Sequence, residues 1–189
     1  MQPSESDISR WIAQLAEEEN ATTAVTELAK MGAVALKPVL NAYTSPINQN
    51  MAENAGSVLV LLGEPAVEPL INLLQRDEWT TSAAWTLGYI GDARAVAPLI
   101  LTLKHKNQHT RWAAVNALAL LRDPHSIEPL IQRLRDRASS VRFLAAKALS
   151  DFGDERAISA LKELMADSSP GVRDVAKDAI ANINARPRE

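Results

Sequence analysis

The chain has 189 residues, 47% of them hydrophobic and only 4% aromatic, enough apolar material for a continuous core and too much for a disordered chain. Its 20 basic and 23 acidic residues leave a formal charge of −3, which argues against a general nucleic-acid binder, since phosphate neutralisation needs a basic field. The absence of cysteine excludes disulfides, thiolate zinc sites and cysteine nucleophiles.

Residues 1–7 carry acids and none of the apolar core a signal peptide needs, and no apolar run approaches the ~20 residues of a membrane helix. The expectation is a soluble, cytoplasmic protein that does not contact membrane.

In chain order, the apolar residues fall on helical stripes that come in pairs. A looser first pair, over 5–32, shows Ile8, Trp11, Ile12 and Leu15, then Ala24, Leu28 and Met31. The second, 33–63, has Leu36, Val39 and Leu40, then Met51, Ala55, Leu59 and Leu62. The third, 64–91, has Val67, Leu70, Ile71 and Leu74, then Trp79, Ala83, Leu87 and Ile90. Val96, Leu99, Ile100 and Leu103, then Thr110, Ala114, Leu118 and Leu121, mark the fourth, 92–122. The fifth, 123–153, reads Ile127, Leu130, Ile131 and Leu134, then Val141, Ala145, Leu149 and Phe152. The sixth, 154–184, reads Ile158, Leu161 and Met165, then Val172, Ala176, Ala179, Ile180 and Ile183. A polar tail, 185–189, follows.

These pairs are copies of one design. Met31, Leu62, Ile90, Leu121, Phe152 and Ile183 stand 31, 28, 31, 31 and 31 residues apart. A fixed period near this length marks a stacked array in which each unit buries its apolar face against its neighbours. The fold class expected is an all-α, right-handed α-α superhelical solenoid of about six helix pairs in a single domain, 1–189. Gly32, Gly63, Gly91 and Gly153 follow second helices as left-handed caps, with Arg122 in place of the fourth glycine. Asp92, Asp123 and Asp154 then stand as N-caps, with Pro65 and Pro124 at first helical positions and Ser169-Pro170 opening the last helix. Pro38, Pro69, Pro98 and Pro129, a turn further in, are expected to bend the first helices.

Gly91-Asp92-Ala93-Arg94-Ala95-Val96-Ala97-Pro98-Leu99-Ile100 and Val141-Arg142-Phe143-Leu144-Ala145-Ala146-Lys147-Ala148-Leu149 resemble HEAT repeats, specifically the PBS-lyase HEAT-like class. The resemblance runs over nearly the whole chain and is weakest in the first two units, which lack the Asp and Arg positions. It implies a ladder in which a loop Asp pairs with the Arg opening the second helix: Asp136 with Arg142, and Asp167 with Arg173. Arg111 has no acidic mate at Lys106 on this reading. The ladder is structural; anion binding is the other reading of the arginines.

Little else carries chemistry. His105 and His109 have i, i+4 spacing but straddle a loop, and no acid lies between them. The di-iron deoxyhypusine hydroxylases, which share the resemblance in fold, use His-Glu dipeptides; here Lys106, Thr110 and Ser126 follow the histidines, so those ligands are missing. No phosphate loop, nucleophile elbow or paired-carboxylate motif is present, and no metal or catalytic residue is expected.

The second helices carry one further pattern. Positions two, six and nine after the opening residue point away from the buried face. Their occupants include Glu53 and Ser57, Thr81 and Trp85, Trp112 and Asn116, and Phe143 and Lys147, with Tyr89 a turn beyond Trp85. Aromatic residues on a surface lining the concave side of such an array mark a binding site. Trp85, Tyr89, Trp112, Asn116, Phe143 and Lys147 are therefore the candidate partner-binding residues, centred on units three to five, while Trp11 and Trp79 belong to core stripes. The other readings of the same rings are ordinary packing or a homodimer contact. The polar outer face of the last unit (Asp174, Lys177, Asp178, Asn182) suits a capping repeat.

The function expected is a non-catalytic scaffold or adaptor that holds another protein, without a cofactor. The alternative, which the resemblance implies, is a phycobilin lyase or phycobilisome-processing factor binding an open-chain tetrapyrrole; an enzyme, if it is one, would be of that kind. Base excision on such a scaffold would need a basic groove that the charge balance does not offer.

Overall fold

A computed structural model describes residues 4–186; the ends of the expected polar tail and of the N-terminal stretch lie outside the described residues. Among these residues the chain is built from twelve α-helices in six consecutive antiparallel-type pairs, three of them led in by a short 3-10 turn. It divides into two compact units, Met1–Asp92 and Ala93–Glu189.

The first unit holds α1 (Glu5–Gln14), α2 (Ala21–Lys30), α3 (Ala33–Thr44), α4 (Gln49–Leu62), α5 (Glu64–Leu73) and α6 (Thr80–Ile90). A capping box starts α1: Ser4 Oγ accepts the Asp7 N–H and Asp7 Oδ2 accepts the Ser4 N–H, each at 3.2 Å. Asn48 caps α4 by accepting the Met51 N–H at 2.9 Å. Its amide also donates to the Ala16 carbonyl at 3.1 Å, and Asn54 donates to the Leu15 carbonyl at 2.9 Å, so two side chains of the second pair satisfy the loop of the first. Second helices pack on second helices, α2 on α4 and α4 on α6.

The second unit holds α7 (Val96–Thr102), α8 (Gln108–Leu121), α9 (Ile127–Arg133), α10 (Ser139–Phe152), α11 (Ile158–Leu164) and α12 (Pro170–Asn184). Here α8 packs on α10 and α10 on α12. The first helices are short because each begins as a 3-10 turn: Ala93–Ala95, Pro124–Ser126 and Glu155–Ala157. Asp123 and Asp154 cap the last two turns, accepting the N–H groups of His125 (2.8 Å) and Arg156 (2.9 Å). In the first unit, by contrast, Pro38 and Pro69 sit inside continuous helices.

Much of the core is leucine with alanine beside it, while α1, α3 and α12 bury Ile8, Val39 and Ile183 instead. Leu59, Leu70, Leu87, Leu99, Leu118, Leu130, Leu149 and Leu161 have no exposed surface, and burying each is worth about 1.5–3 kcal/mol. Ala55, Ala83, Ala114, Ala145 and Ala176 are equally buried, and their small volume lets neighbouring helices approach. Several stripe residues are only half-buried, among them the two tryptophans expected in the core, and one, Met165, is exposed. Trp11, on the first helix, has Arg10 over its ring at 4.5 Å and is only half-buried. Trp79 precedes the first residue of α6 and is half-buried as well. Met165 follows the last residue of α11 and is 43% exposed.

The glycine caps divide into two kinds. Gly91 and Gly153 are left-handed (φ 79°, ψ 16° and φ 74°, ψ 22°), whereas Gly32 and Gly63 combine positive φ with ψ near −139° and −127°. The latter region is open to glycine almost alone. Arg122 holds the left-handed conformation at φ 53° without being glycine, and its guanidinium donates to the Asp151 carbonyl at 2.8 Å. Ser169 makes no side-chain cap on α12; Asp167 Oδ1 accepts the Ser169 N–H instead, at 2.8 Å.

Candidate functional site

Two constellations stand out, one structural and one open to solvent. The structural one is the arginine ladder. Arg111 is 4% exposed, and its Nε and Nη2 donate to the two carboxylate oxygens of Asp136, each at 2.7 Å. Its Nη1 donates to the carbonyls of His105 and Lys106, both at 3.0 Å. Arg142 repeats this one unit on: Nε and Nη2 grip Asp167 at 2.6 and 2.8 Å, and Nη1 donates to the Asp136 carbonyl at 2.8 Å. Arg173 closes the series, donating from Nη1 to the carbonyls of Asp167 and Ser168 at 2.8 and 3.3 Å.

The pairing expected from the sequence is thus displaced by one repeat. Arg142 does not take the Asp136 carboxylate, Arg173 does not take the Asp167 carboxylate, and Arg111 does have an acidic mate. The reason is the fixed fork of the guanidinium: one arm satisfies the loop of its own repeat through carbonyls, which turns the other edge towards the carboxylate of the next. Each Asp does double duty, since Asp136 Oδ1 also accepts the Ala138 N–H at 2.9 Å. Burial disfavours the charged form of Asp136, but the Arg111 fork, the Ala138 N–H and the charges of Arg111 and Arg133 outweigh it and hold the carboxyl below its ordinary value. The Arg142 hydrogen bonds lower Asp167 against a smaller burial effect. Arg111 and Arg142 thus spend Nε and both Nη groups on these contacts within the fold, whereas Arg173 uses Nη1 alone.

The open constellation is a groove of about 810 Å3 between α4 and α6. From α4 it takes Glu53, Gly56, Ser57, Val60 and Leu61; from α6, Ser82, Trp85, Thr86 and Tyr89; Tyr43 and Trp79 complete it. Gly56 makes the floor possible. A Cβ there would meet Tyr43 Cε2 at 3.3 Å and Thr86 Oγ1 at 3.8 Å, so a side chain would press on the Tyr43 ring packed beneath the glycine. A mid-helix glycine costs about 1 kcal/mol relative to alanine, and this contact is a structural reason for it.

The rings are placed by local geometry. Trp85 and Tyr89 lie one turn apart on α6 and stack at 6.0 Å between centroids and 13° between planes. Tyr43 and Trp79 meet at 6.2 Å and 38°. Thr86 donates its hydroxyl proton to the Ser82 carbonyl at 3.0 Å, which leaves its oxygen to accept the Tyr43 O–H at 3.1 Å. Burial pushes the Tyr43 phenol up to about 12, against smaller opposing effects of Thr86 and Ser82. Leu61 and Tyr89 remain 61% and 60% exposed, an outlay of apolar surface that core packing does not explain.

The only formal charge lining the groove is Glu53, exposed and held by Gln49, whose Nε2 donates to Oε1 at 2.6 Å. The wider setting agrees in sign. Residues 1–92 carry 12 acidic and 4 basic side chains, a formal charge of −8, whereas residues 93–189 carry 11 and 16, a charge of +5. The near-neutral total conceals this polarity, and counting by halves would have found it.

Of the residues singled out from the sequence, the structure brings Trp85 and Tyr89 together in this groove, with Glu53 and Ser57 opposite. Trp112 and Asn116, half-buried on α8, and Phe143 and Lys147, exposed on α10, lie in the other unit. Two lining aromatics escaped sequence reasoning, along with the small and aliphatic residues between them: Tyr43 sits on a first helix, and Trp79 occupies a stripe position that reads as core. The groove belongs to the second and third helix pairs, so the open site begins one unit earlier than expected. Among the described residues no group of three His, Asp or Glu side chains could hold a metal, and no helix is long and apolar enough to cross a membrane.

Paired helices repeated about every 30 residues and packed on their neighbours define the α-helical repeat proteins. A family model for HEAT repeats matches residues 80–141 and 117–181, more than half of the chain, and the protein belongs to that family. No curated protein matches it. Among solved structures, the complex of CpcE and CpcF of phycocyanin lyase from Nostoc sp. PCC7120 aligns at 24% identity over 77% of this chain and 98% of that one, with a TM-score of 0.68. A designed armadillo repeat protein in complex with the peptide (KR)4 aligns at 18% identity over 96% and 100%, TM-score 0.62. Human deoxyhypusine hydroxylase aligns at 17% over 97% and 75%, TM-score 0.56. At these identities the likeness is one of fold.

Proposed function

We propose that the protein is a non-catalytic scaffold that seats a segment of another protein in the groove between α4 and α6. The observation that carries this reading is the groove itself: four aromatic side chains line it, from the buried Tyr43 to the largely exposed Tyr89, with Leu61 exposed beside them. Rigid aromatics around a pocket supply most of the binding energy at protein interfaces. Trp112, Asn116, Phe143 and Lys147, on the corresponding helices of the second unit, are proposed as further contacts. The repeat neighbours whose structures include a peptide or a partner chain support the class of function and not its details.

The test is selection of peptides from a displayed library by the purified chain, followed by calorimetry of the selected peptides against parent and Trp85→Ala. The reading requires peptides whose binding is lost with Trp85. Selected peptides that ignore Trp85, Tyr89 and Leu61 would overturn it.

An open-chain tetrapyrrole is the second occupant considered, since the aromatic lining could stack on its pyrroles. The lining does not fit its propionates: it holds no lysine or arginine, and Glu53 would repel them. Titration with phycocyanobilin, read as a visible absorbance shift, separates the two. A saturable shift abolished by Trp85→Ala would replace the scaffold reading.

A further inference from the structure

We infer that the groove between α4 and α6 selects a basic partner segment, seating an arginine or lysine side chain against its aromatic faces with the cation at Glu53. This rests on the reading of the groove as a partner site and specifies what the partner must present. Three observations carry it.

The first is the lining. An aromatic face is the negative pole of a quadrupole, and a cation within about 6 Å of a ring centroid is attracted to it. Trp79, Trp85 and Tyr89 place such faces on the lining, above the buried Tyr43, and no lysine or arginine is among the lining residues. The second is Glu53. Gln49 engages Oε1 and fixes the carboxylate on the lining wall, one turn before Ser57. Cation and carboxylate would meet beside apolar surface, which suits a long aliphatic stem ending in a charge. The third is the field. The unit that contains the groove has a formal charge of −8, which steers a cationic segment towards it and repels an acidic one. Charges beyond about 8–10 Å are screened at physiological salt, so Glu53 acts on the seated residue and the other acids on its approach.

The experiment is calorimetry of the full-length chain against three octapeptides: alternating Lys-Arg, its Gln-for-cation counterpart, and oligo-Glu. The Lys-Arg peptide should bind about 10-fold or more tighter than the Gln peptide, and oligo-Glu should not bind. Raising salt from about 50 to about 300 mM should weaken it. Glu53→Gln should weaken it about 2- to 5-fold, the size of one exposed ion pair, and Trp85→Ala by about 10-fold or more. Glu18→Gln removes the same charge from the same unit at an exposed site outside the groove, and should leave affinity unchanged. Helical content by circular dichroism verifies that each variant is folded.

If Lys-Arg and Gln peptides bind alike, both losing affinity with Trp85→Ala, the groove is a partner site without cation selectivity and the inference fails alone. If Glu18→Gln and Glu53→Gln weaken binding equally while Trp85→Ala does not, the acidic field binds without the groove and both readings fail. Self-association of the chain, acidic unit to basic unit, that the peptides do not displace would also overturn the inference.

Discussion

Removing the carboxylate of Asp136 should be among the most damaging single changes this protein can suffer. Asp136→Ala leaves Arg111, 4% exposed, with two N–H edges facing no acceptor, and removes the acceptor for the Ala138 N–H at the entry to α10. Breaking a buried pair from one side costs about 3–5 kcal/mol, because the surviving charge stays desolvated. For a chain of this length that corresponds to a melting point lower by roughly 6–20 °C. Urea unfolding followed at 222 nm measures it, with the transition of the second unit read separately if the two units unfold apart. The same change at Asp167 should cost less, since its pair with Arg142 is more exposed (13% and 8% against 4% and 2%). Glu163→Ala, which removes the exposed partner of Arg135, should leave the midpoint where it was. The order Asp136, Asp167, Glu163 is the substance of the prediction. A loss under about 1 kcal/mol at Asp136 would refute the view that the fork is a buried, water-excluded contact. The sign with pH follows: both Asp carboxyls are lowered in the fold, so their contribution is complete above the ordinary value of 3.8 and disappears as pH falls through the folded values.

Further outcomes are expected. Arg122→Gly should raise stability by about 0.5–1 kcal/mol, since glycine removes the left-handed strain and only an exposed bond to Asp151 is lost; an unchanged or lower melting point would show that this bond outweighs the strain. Trp85→Ala should cost about 1–2 kcal/mol, because the ring is half-buried and stacks on Tyr89, against about 2–5 for Leu87→Ala in the core; equal losses would place Trp85 in the core and remove it from the binding surface. Gly56→Ala should keep stability within about 1 kcal/mol, helix propensity offsetting the contact at 3.3 Å with Tyr43, while reducing peptide affinity; a larger loss in urea unfolding would show that the Tyr43 ring cannot shift. Absorbance at 295 nm should show a phenol titrating near pH 12 that Tyr43→Phe removes. Because that value is raised above 10.0, the burial of Tyr43 stabilises fully below pH 10 and ceases to do so as pH rises through 12.

What the sequence determines here is the repeat. Helical periodicity, alanine at the crowded positions and glycine at the turns are local requirements of helix geometry, so they are written residue by residue and can be read that way. The six pairs and the buried leucines follow from them. The ladder was half legible: the Asp and Arg types stood in view, but which Arg meets which Asp depends on how far one repeat is displaced along the next, and no spacing within a repeat encodes that. The site was less legible still. Trp85 and Tyr89 declare themselves by pointing off the buried stripe, whereas Trp79 reads as core until its position before α6 turns it against Tyr43. Gly56 becomes meaningful only when a ring 13 positions earlier is found beneath it. A groove is a space between helices distant in sequence, and its depth is set by the side chains that are missing as much as by those present. Only the packed structure brings such residues to one place.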